Sequence, residues 1–467
     1  MIVPRHVIGG PGYKAPSDTL NIAGVGIGGK GYSNLVAMES ENIVALCDTD
    51  WSYAKRAFDK FPKATKFKDY RTMLDKMGKD IDAVMVATPD HTHAIVAVDS
   101  MLLGKHAFVQ KPLTHSVFES RTLRLVAKQT GVATQMGNQG NSGEGIRQVC
   151  EWIWNGEIGD VSEVHAWTNR PIWSQGMNKP TGKAKVPKTL DWDLFIGPAK
   201  YRDYHPDYQP WGWRGWWDFG TGALGDMACH IMDPAFKAMR FGHPIAVEAT
   251  STEFNIDSAP QSEMVTYYFP KRENLPNVAF PEATFTWYDG GIRPPRPAEM
   301  EQGKVMGDKG GGVLFVGTKG KLICSTYAKD PYILGRGEVK VPQTLRRVKD
   351  GMQGHEQDWV RACKESKENR VEASSNFDYA GPLNEVVVMG NLGVRLQGLN
   401  KKLLWDGENM KFTNISDNEE VSVITKSTFA VQNGKPSFNK PAIKMNAKQL
   451  AEELVKHNYR DGWKLNT

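Results

Sequence analysis

The chain has 467 residues, 40% of them hydrophobic and 24% charged, with a formal net charge of +5. This length exceeds one ordinary core and suits two domains of a globular protein. The small charge leaves nucleic acid and anionic membranes without an electrostatic footprint, and no apolar run approaches the roughly 18–20 residues that span a bilayer.

The opening MIVPRHVIGGPGYKAPSDTL lacks the apolar centre of a signal peptide and does not look like folded sequence. It fits the residues left after an export signal is trimmed, or a plain surface tail. From Leu20 a regular pattern begins. LNIAGVGI, NIVALCD (Asn42–Asp48), IDAVMVATP (Ile81–Pro89), HAFVQKP (His106–Pro112) and VATQMGNQ (Val132–Gln139) are short apolar runs, as expected of strands buried on both faces. Helical patterns such as HAIVAVDSMLLGK and VFESRTLRLVAKQTG lie between them. This alternation predicts βαβ units and a doubly wound parallel sheet, an α/β fold with a Rossmann dinucleotide-binding domain over residues 18–140.

After residue 140 the pattern changes. IRQVCEWIWNGEIG is helical, whereas VSEVHAWTNR, IAVEATSTEF, EMVTYYFP, EATFTWY and GVLFVGTKGKLICS alternate as strands with one covered face. Residues 141–467 are therefore expected to form an α/β domain with a large, mostly antiparallel open sheet. Helices are expected near His355–Lys364 and Asp378–Leu396. Pro171–Gly225 is a Pro-, Gly- and Trp-rich excursion, too long for an ordinary loop, and such lengths usually serve function. Asp417–Pro441 is polar and weakly patterned, as a surface insertion would be. Five dispersed cysteines with no C-x-x-C indicate neither a disulfide framework nor a zinc site.

GIGGKG is G-x-G-x-x-G, with Gly26, Gly28 and Gly31. It follows a strand, opens a helix, and is answered 17 residues after Gly31 by Asp48 at the end of the next strand. Glycines allow the tight turn and let backbone approach a pyrophosphate, and the acid accepts from ribose hydroxyls. Gly26, Ile27, Gly28, Gly29, Gly31 and Asp48 are thus the expected nucleotide contacts. Asp48 and Asp50 disfavour a 2′-phosphate, so NAD is expected rather than NADP. ATPDHTH (Ala87–His93) leaves a strand on the ligand-binding edge of the sheet, where Thr88 and Pro89 would line the nicotinamide side and His93 would contact the cofactor. His91 and His93 lack a third ligand and fit polar residues at a helix start better than a metal pair, so no metal is expected. Asn138 would reach the cofactor or substrate, or cap the following turn.

In FGTGALGDMACHIMD, Asp226 and His230 are four apart and would share one helix face. By themselves they fit a helix cap and a packed histidine better than a working pair.

VQKPLTH changes that balance. A Lys-Pro directly after a strand, following the glycine loop and ATPDHTH, resembles the Gfo/Idh/MocA oxidoreductases, the relatives of glucose–fructose oxidoreductase and inositol dehydrogenase. The likeness continues through LDWDLFIGPA, WRGWWDFGTGALGDMACHIMD, LFVGTKGKL, HEQDWVRACK, SNFDYAGPLNEVVVMGNLGVRLQG and YRDGWKL. It omits only the first 20 residues and the stretch near Asp417–Pro441. Where the family usually has Glu-Lys-Pro, this chain has Gln110-Lys111-Pro112; the lysine is kept and the acid is not.

The resemblance implies that Lys111 meets a D-x-x-x-H pair across the nicotinamide ring, and Asp226 and His230 match that pattern. It also implies NAD as cofactor, a carbohydrate substrate, and a homo-oligomer, dimer or tetramer, built on the open face of the second sheet. The chain looks like a bacterial subgroup whose precursors often carry twin-arginine export signals, and VPRHVIGG resembles the residues just after such a signal. A periplasmic location is expected, with the cytoplasm as alternative.

On this reading His230, with an ordinary pKa of about 6.5, takes the substrate's hydroxyl proton. Asp226 orients the ring or stabilises its charged form. Lys111 donates to the substrate oxygen, although its use as the base stays open. Trp213, Trp216 and Trp217 would stack on a sugar and Arg214 would bond its hydroxyls, packing being the other use of such tryptophans. The expected function is an NAD-dependent dehydrogenase of a sugar, polyol or glycoside. The alternative is a glycoside hydrolase or lyase that oxidises its substrate transiently, eliminates the aglycone and recycles NAD. A non-catalytic ligand-binding protein on the same fold rests only on Gln110.

Overall fold

The structure, a computed structural model, describes residues 18–272 and 281–467; the VPRHVIGG stretch lies outside the described residues. The first sheet contains β1 (Asn21–Val25), β2 (Asn42–Cys47), β3 (Thr65–Phe67), β4 (Ala83–Val86), β5 (His106–Val109) and β6 (Thr134–Met136). All are parallel, in the order β3-β2-β1-β4-β5-β6. The apolar runs have a direct cause. In β4, Val84 and Val86 enter one core while Ala83 and Met85 enter another, so both faces of the strand are covered.

Strand order reverses at β1 and β4, which pair directly with Val25 opposite Val86. Open α/β sheets bind ligands beyond the carboxyl ends of their strands at such a reversal. The glycine loop after β1, Thr88 after β4 and Lys111 after β5 all emerge on this edge.

The second sheet is built from β7 (Val161–Thr168), β8 (Ala246–Ser251), β9 (Glu263–Phe269), β10 (Ala283–Tyr288), β11 (Gly311–Gly317), β12 (Lys321–Ser325), β13 (Tyr332–Ile333), β14 (Leu403–Asp406) and β15 (Lys411–Phe412). Its order is β13-β12-β11-β7-β10-β9-β8-β14-β15. Pairing is antiparallel except between β7 and β10. Helices Gly222–Ile231 and Phe377–Leu396 pack on one face. Helix Phe377–Leu396 also lies against helix Val117–Thr130 of the first domain, where Arg121 grips Glu385 through two bonds of 2.7 and 2.8 Å.

The packing does not divide cleanly at residue 140. Helix His355–Lys364 crosses back to the Rossmann sheet. Trp359 meets Phe108 edge-on at 5.6 Å and donates to the Ala133 carbonyl, and His355 Nε2 lies 2.8 Å from Met136 O. The Trp-rich excursion carries its own small core, in which Trp192, Phe195, Tyr208, Trp216 and Phe219 pack together. In the stretch near Asp417–Pro441, strands Thr428–Gln432 and Lys435–Asn439 form an exposed surface hairpin, whereas Glu420–Ile424 pairs with Ala442–Asn446 and buries Val421 and Val423 in the main core. Among the described residues, no helix is long and apolar enough to cross a membrane.

Candidate active site

A cleft of about 380 Å³ opens where the carboxyl edge of the first sheet faces helix Gly222–Ile231 and the Trp-rich excursion. Gly26, Gly28 and Gly29 line it. Gly26 has φ +75°, a left-handed conformation that favours glycine, and a side chain there would press on the Thr88 backbone. Gly31 does not reach the cleft; it packs so closely on the Gly26 carbonyl that a Cβ would overlap it. Ile27 is buried and contributes its N–H, which donates to Asp48 Oδ2 at 2.9 Å, with the Gly28 N–H at 3.3 Å. Burial raises the Asp48 carboxyl to about 6, against the opposing pull of N–H groups from Asp50, Ile27 and Gly28. Tyr53, which the motif does not flag, lies on this loop, with its ring where a Gly28 Cβ would stand.

Thr88 and Pro89 line the cleft. The Thr88 hydroxyl is buried with no hydrogen-bond partner among the described residues. A glycine cradle closed to any Cβ, a carboxylate beside it and an orphaned hydroxyl further along fit a dinucleotide laid across the sheet edge. His93 departs from expectation. It sits behind the cleft, with Nδ1 and Nε2 each 2.8 Å from the carbonyls of Pro112 and Thr88. Its work is to join the loops after β4 and β5, because a histidine at the first turn of the helix between those strands points back into the domain. Burial pulls its pKa to about 4, opposed by the two carbonyls.

Lys111 leaves the first domain and meets the second. Its Nζ donates to Asp226 Oδ1 at 2.9 Å and to Asp226 O at 2.7 Å. The loop that carries it is pinned by Asn384, whose Oδ1 accepts from the Leu113 N–H at 2.9 Å. Arg214 Nε lies 3.3 Å from the same Asp226 oxygen, and its guanidinium sits 4.2 Å from the ring centres of both Trp211 and Trp213. Burial would raise Asp226, but Lys111 and Arg214 outweigh it and hold the carboxyl at about 2. The expectation is that Asp226 orients the His230 ring or stabilises its charged form; its carboxylate bonds the two cations, and among the described residues no hydrogen bond joins it to the imidazole, although its charge opposes the fall in the His230 pKa.

His230 lines the cleft, its Nδ1 buried without a partner among the described residues. Burial and the Lys111 ammonium drive its pKa well below the ordinary histidine value. Its neighbour is Tyr327, whose ring lies edge-on at 4.8 Å. Tyr327 has φ +63°, uncommon for a non-glycine residue and typical of functional sites. No sequence pattern marks it. Gln110, in place of the usual acid, donates to Asn34, which donates onward to Glu356 at 2.6 Å.

Three further expectations are corrected. Trp216 is wholly buried in the excursion's own core, its indole N–H donating to Asp207 O. Trp217 donates to Asn255 O and lines a different cavity. An excursion this long with few regular elements needs aromatic residues for its own core, and these two are used there. The tryptophans that line the cleft are Trp173, Trp211 and Trp213 of the excursion and Trp463 near the end of the chain. Asn138 is fully buried and donates to Asp233 Oδ2 at 3.0 Å, tying a turn to the chain just after helix Gly222–Ile231.

A doubly wound sheet with this loop at its reversal, facing a helix from a second α/β sheet, defines a two-domain dinucleotide-binding protein. Family models agree: residues 20–138 match "Oxidoreductase family, NAD-binding Rossmann fold" and residues 153–271 match "Oxidoreductase family, C-terminal alpha/beta domain". The chain belongs to the Gfo/Idh/MocA oxidoreductase family, and NAD is the cofactor of its first domain.

Glycosyl hydrolase family 109 protein 2 of Akkermansia muciniphila is 33% identical over 163 residues, 32% of this chain and 34% of that protein. The alpha-N-acetylgalactosaminidase of Shewanella oneidensis is 29% identical over 163 residues, 32% of this chain and 35% of that one. The chain thus spans about a third of the length of these curated relatives. Among solved structures, the WlbA dehydrogenase from Bordetella pertussis, in complex with NADH and UDP-GlcNAcA, shares the fold. It has a TM-score of 0.56 at 15% identity, over 83% of this chain and 99% of that one.

Proposed function

We propose that the protein is an NAD-dependent oxidoreductase acting on a carbinol carbon of a sugar, polyol or glycoside, with the nucleotide held tightly. The observation that carries this reading is the convergence of Lys111, Asp226 and His230 on the cleft that the glycine loop opens. NAD, when bound, supplies the hydride acceptor. Lys111, anchored by Asp226, donates to the substrate oxygen and stabilises charge there as the carbonyl forms. His230, neutral because it is buried, accepts the hydroxyl proton. Its lowered pKa suffices because the alcohol becomes far more acidic as its C–H bond breaks. The balance is one hydride to NAD and one proton to His230, leaving a ketone. Arg214 is fixed by Asp226 and two indoles, and its remaining N–H groups can bond substrate hydroxyls.

A second reading uses the same residues. Relatives named as family 109 glycosyl hydrolases and an alpha-N-acetylgalactosaminidase support transient oxidation, elimination of the aglycone, addition of water and return of the hydride. The test is to incubate the purified protein with glycosides and free sugars, without added NAD. Free aglycone would identify the recycling reaction, and a keto-sugar matched to NADH the simple dehydrogenase. No turnover of any carbohydrate by nucleotide-loaded protein would reject both.

A periplasmic location is part of the proposal, supported by the likeness of VPRHVIGG to residues found after an export signal. So is a homo-oligomer. On the side of β9 away from the helices, Met264, Thr266 and Tyr268 stay partly open while Val265 and Tyr267 are buried. Sedimentation at micromolar concentration, and fractionation of the source cell, test these two points.

A further inference from the structure

A second cavity, of about 350 Å³, lies behind the Trp-rich excursion, where the first domain, helix Phe377–Leu396 and helix Ala447–Val455 meet. Its acids are already engaged. Asp218 and Asp257 pair with Arg202, and Glu453 lies 2.8 Å from Lys200 Nζ. Glu119 accepts from the Tyr459 hydroxyl and from the N–H groups of His115 and Ser116. Arg395, near the end of helix Phe377–Leu396, is different. Its guanidinium lies 5.2 Å from the centre of the Trp217 ring, and among the described residues it has neither an ion pair nor a hydrogen bond.

Unsatisfied guanidinium groups are costly to enclose, and a planar fork of N–H donors matches a carboxylate. Beside Arg395, the His457 ring stacks edge-on against His115 at 4.7 Å, and the side chains of His457 and Asn458 have no hydrogen bonds among the described residues. The cavity thus presents a guanidinium with no direct anion partner, whose charge Asp218 and Glu453 offset only from a distance, flanked by unused polar groups and, at its exposed rim, by Lys179, in a volume suited to a small ligand.

We infer that this cavity is a second binding site, distinct from the NAD cleft, for a small carboxylate that carries hydroxyl groups, with its carboxylate on Arg395 and its hydroxyls on His457 and Asn458. The site also touches the catalytic helix from behind. His115 Nε2 lies 3.2 Å from Gly220 O and His91 Nδ1 lies 3.2 Å from Phe219 O, directly before helix Gly222–Ile231, which bears Asp226 and His230. This inference stands whether or not the proposed reaction is correct.

The test is calorimetric titration of the full chain with D-glucuronate, D-gluconate and D-glucose. Wild type and Lys111→Met should bind at least one of the two acids equally well, and neither should bind glucose at this cavity. Arg395→Met should bind that acid about 10- to 100-fold more weakly, the loss expected for a charge-assisted pair. His457→Phe, which leaves Arg395 in place, should weaken it by a smaller factor. Thermal melting gives an independent reading. Because Arg395 has no direct anion partner to lose, unliganded Arg395→Met should melt at or above the wild-type temperature, and the acid should raise the melting points of wild type and Lys111→Met but not that of Arg395→Met. The inference is overturned if Arg395→Met binds as wild type does, if Lys111→Met abolishes the binding, or if neither acid binds at concentrations up to about 10 mM.

Discussion

Lys111 Nζ stands 2.9 Å from Asp226 Oδ1, a bond that crosses from the first domain to the second inside the NAD cleft. Each side chain is mostly enclosed, 16% and 13% exposed. The pair therefore fixes the distance between the two domains at the point where chemistry is proposed. Lys111→Met should lower kcat by about 10²- to 10⁴-fold while nucleotide binding persists, the range for losing one proton-handling or charge-stabilising group. Steady-state turnover beside nucleotide titration checks this.

The same pair makes a prediction about acid stability. The Asp226 carboxyl is held at about 2 in the fold, below its ordinary value of 3.8. Between these values the unfolded chain takes up a proton that the folded chain refuses, so Asp226 stabilises the fold above this window and ceases to do so as pH falls through it. The stability difference between wild type and Asp226→Asn should be largest above pH about 4 and shrink towards pH 2, read from denaturant midpoints.

Asp48 shifts the other way. Burial raises its carboxyl to about 6, so it is protonated below that pH and loses an acceptor for ribose hydroxyls. Affinity for NAD should be flat above pH 7 and fall by up to about tenfold per pH unit below 6. Asp48→Asn should bind more weakly at neutral pH and show little of this dependence.

Two tryptophans in one short stretch should behave oppositely. Trp216 is fully buried and Trp211 is 53% exposed on the cleft. Trp216→Ala should cost about 3–5 kcal/mol of stability through the cavity it leaves. Trp211→Ala should leave melting unchanged and raise KM for the carbohydrate by about tenfold. Thermal melts and saturation kinetics separate the two.

Gly31→Ala tests the loop. A Cβ there would overlap the Gly26 carbonyl oxygen, and that contact is between backbone segments with no flexible end to yield. Nucleotide affinity should drop by about tenfold or more, since the loop must shift where backbone meets pyrophosphate. Equilibrium dialysis against NAD reads it directly.

The sequence made the first domain legible because its strands are covered on both sides, which forces continuous apolar runs such as Ala83–Val86. The glycine spacing is dictated by backbone contact, so it too can be read without coordinates. Other features were hidden for stated reasons. The return of Trp359 to the first domain is a long-range contact with no local pattern. Trp211, Trp213, Trp216 and Trp217 look alike in sequence, and only the local backbone decides which ring enters the cleft. Tyr327 joins His230 through the positive φ of its loop, a backbone property that no residue type announces. The partners of Asp226 were likewise beyond a spacing argument. Four residues apart places Asp226 and His230 on one helix face, but the cations Lys111 and Arg214 claim the carboxylate.

The central claim is that Lys111 and His230 act on a carbohydrate beside bound NAD. Its most direct test is to denature the purified protein, assay the released nucleotide, and follow reduced nicotinamide absorbance and product formation when carbohydrates meet the native protein. The account predicts bound or readily bound NAD(H), with turnover in wild type that disappears in both Lys111→Met and His230→Gln. A protein that neither holds nor binds the nucleotide, or turnover that survives both substitutions, would contradict it.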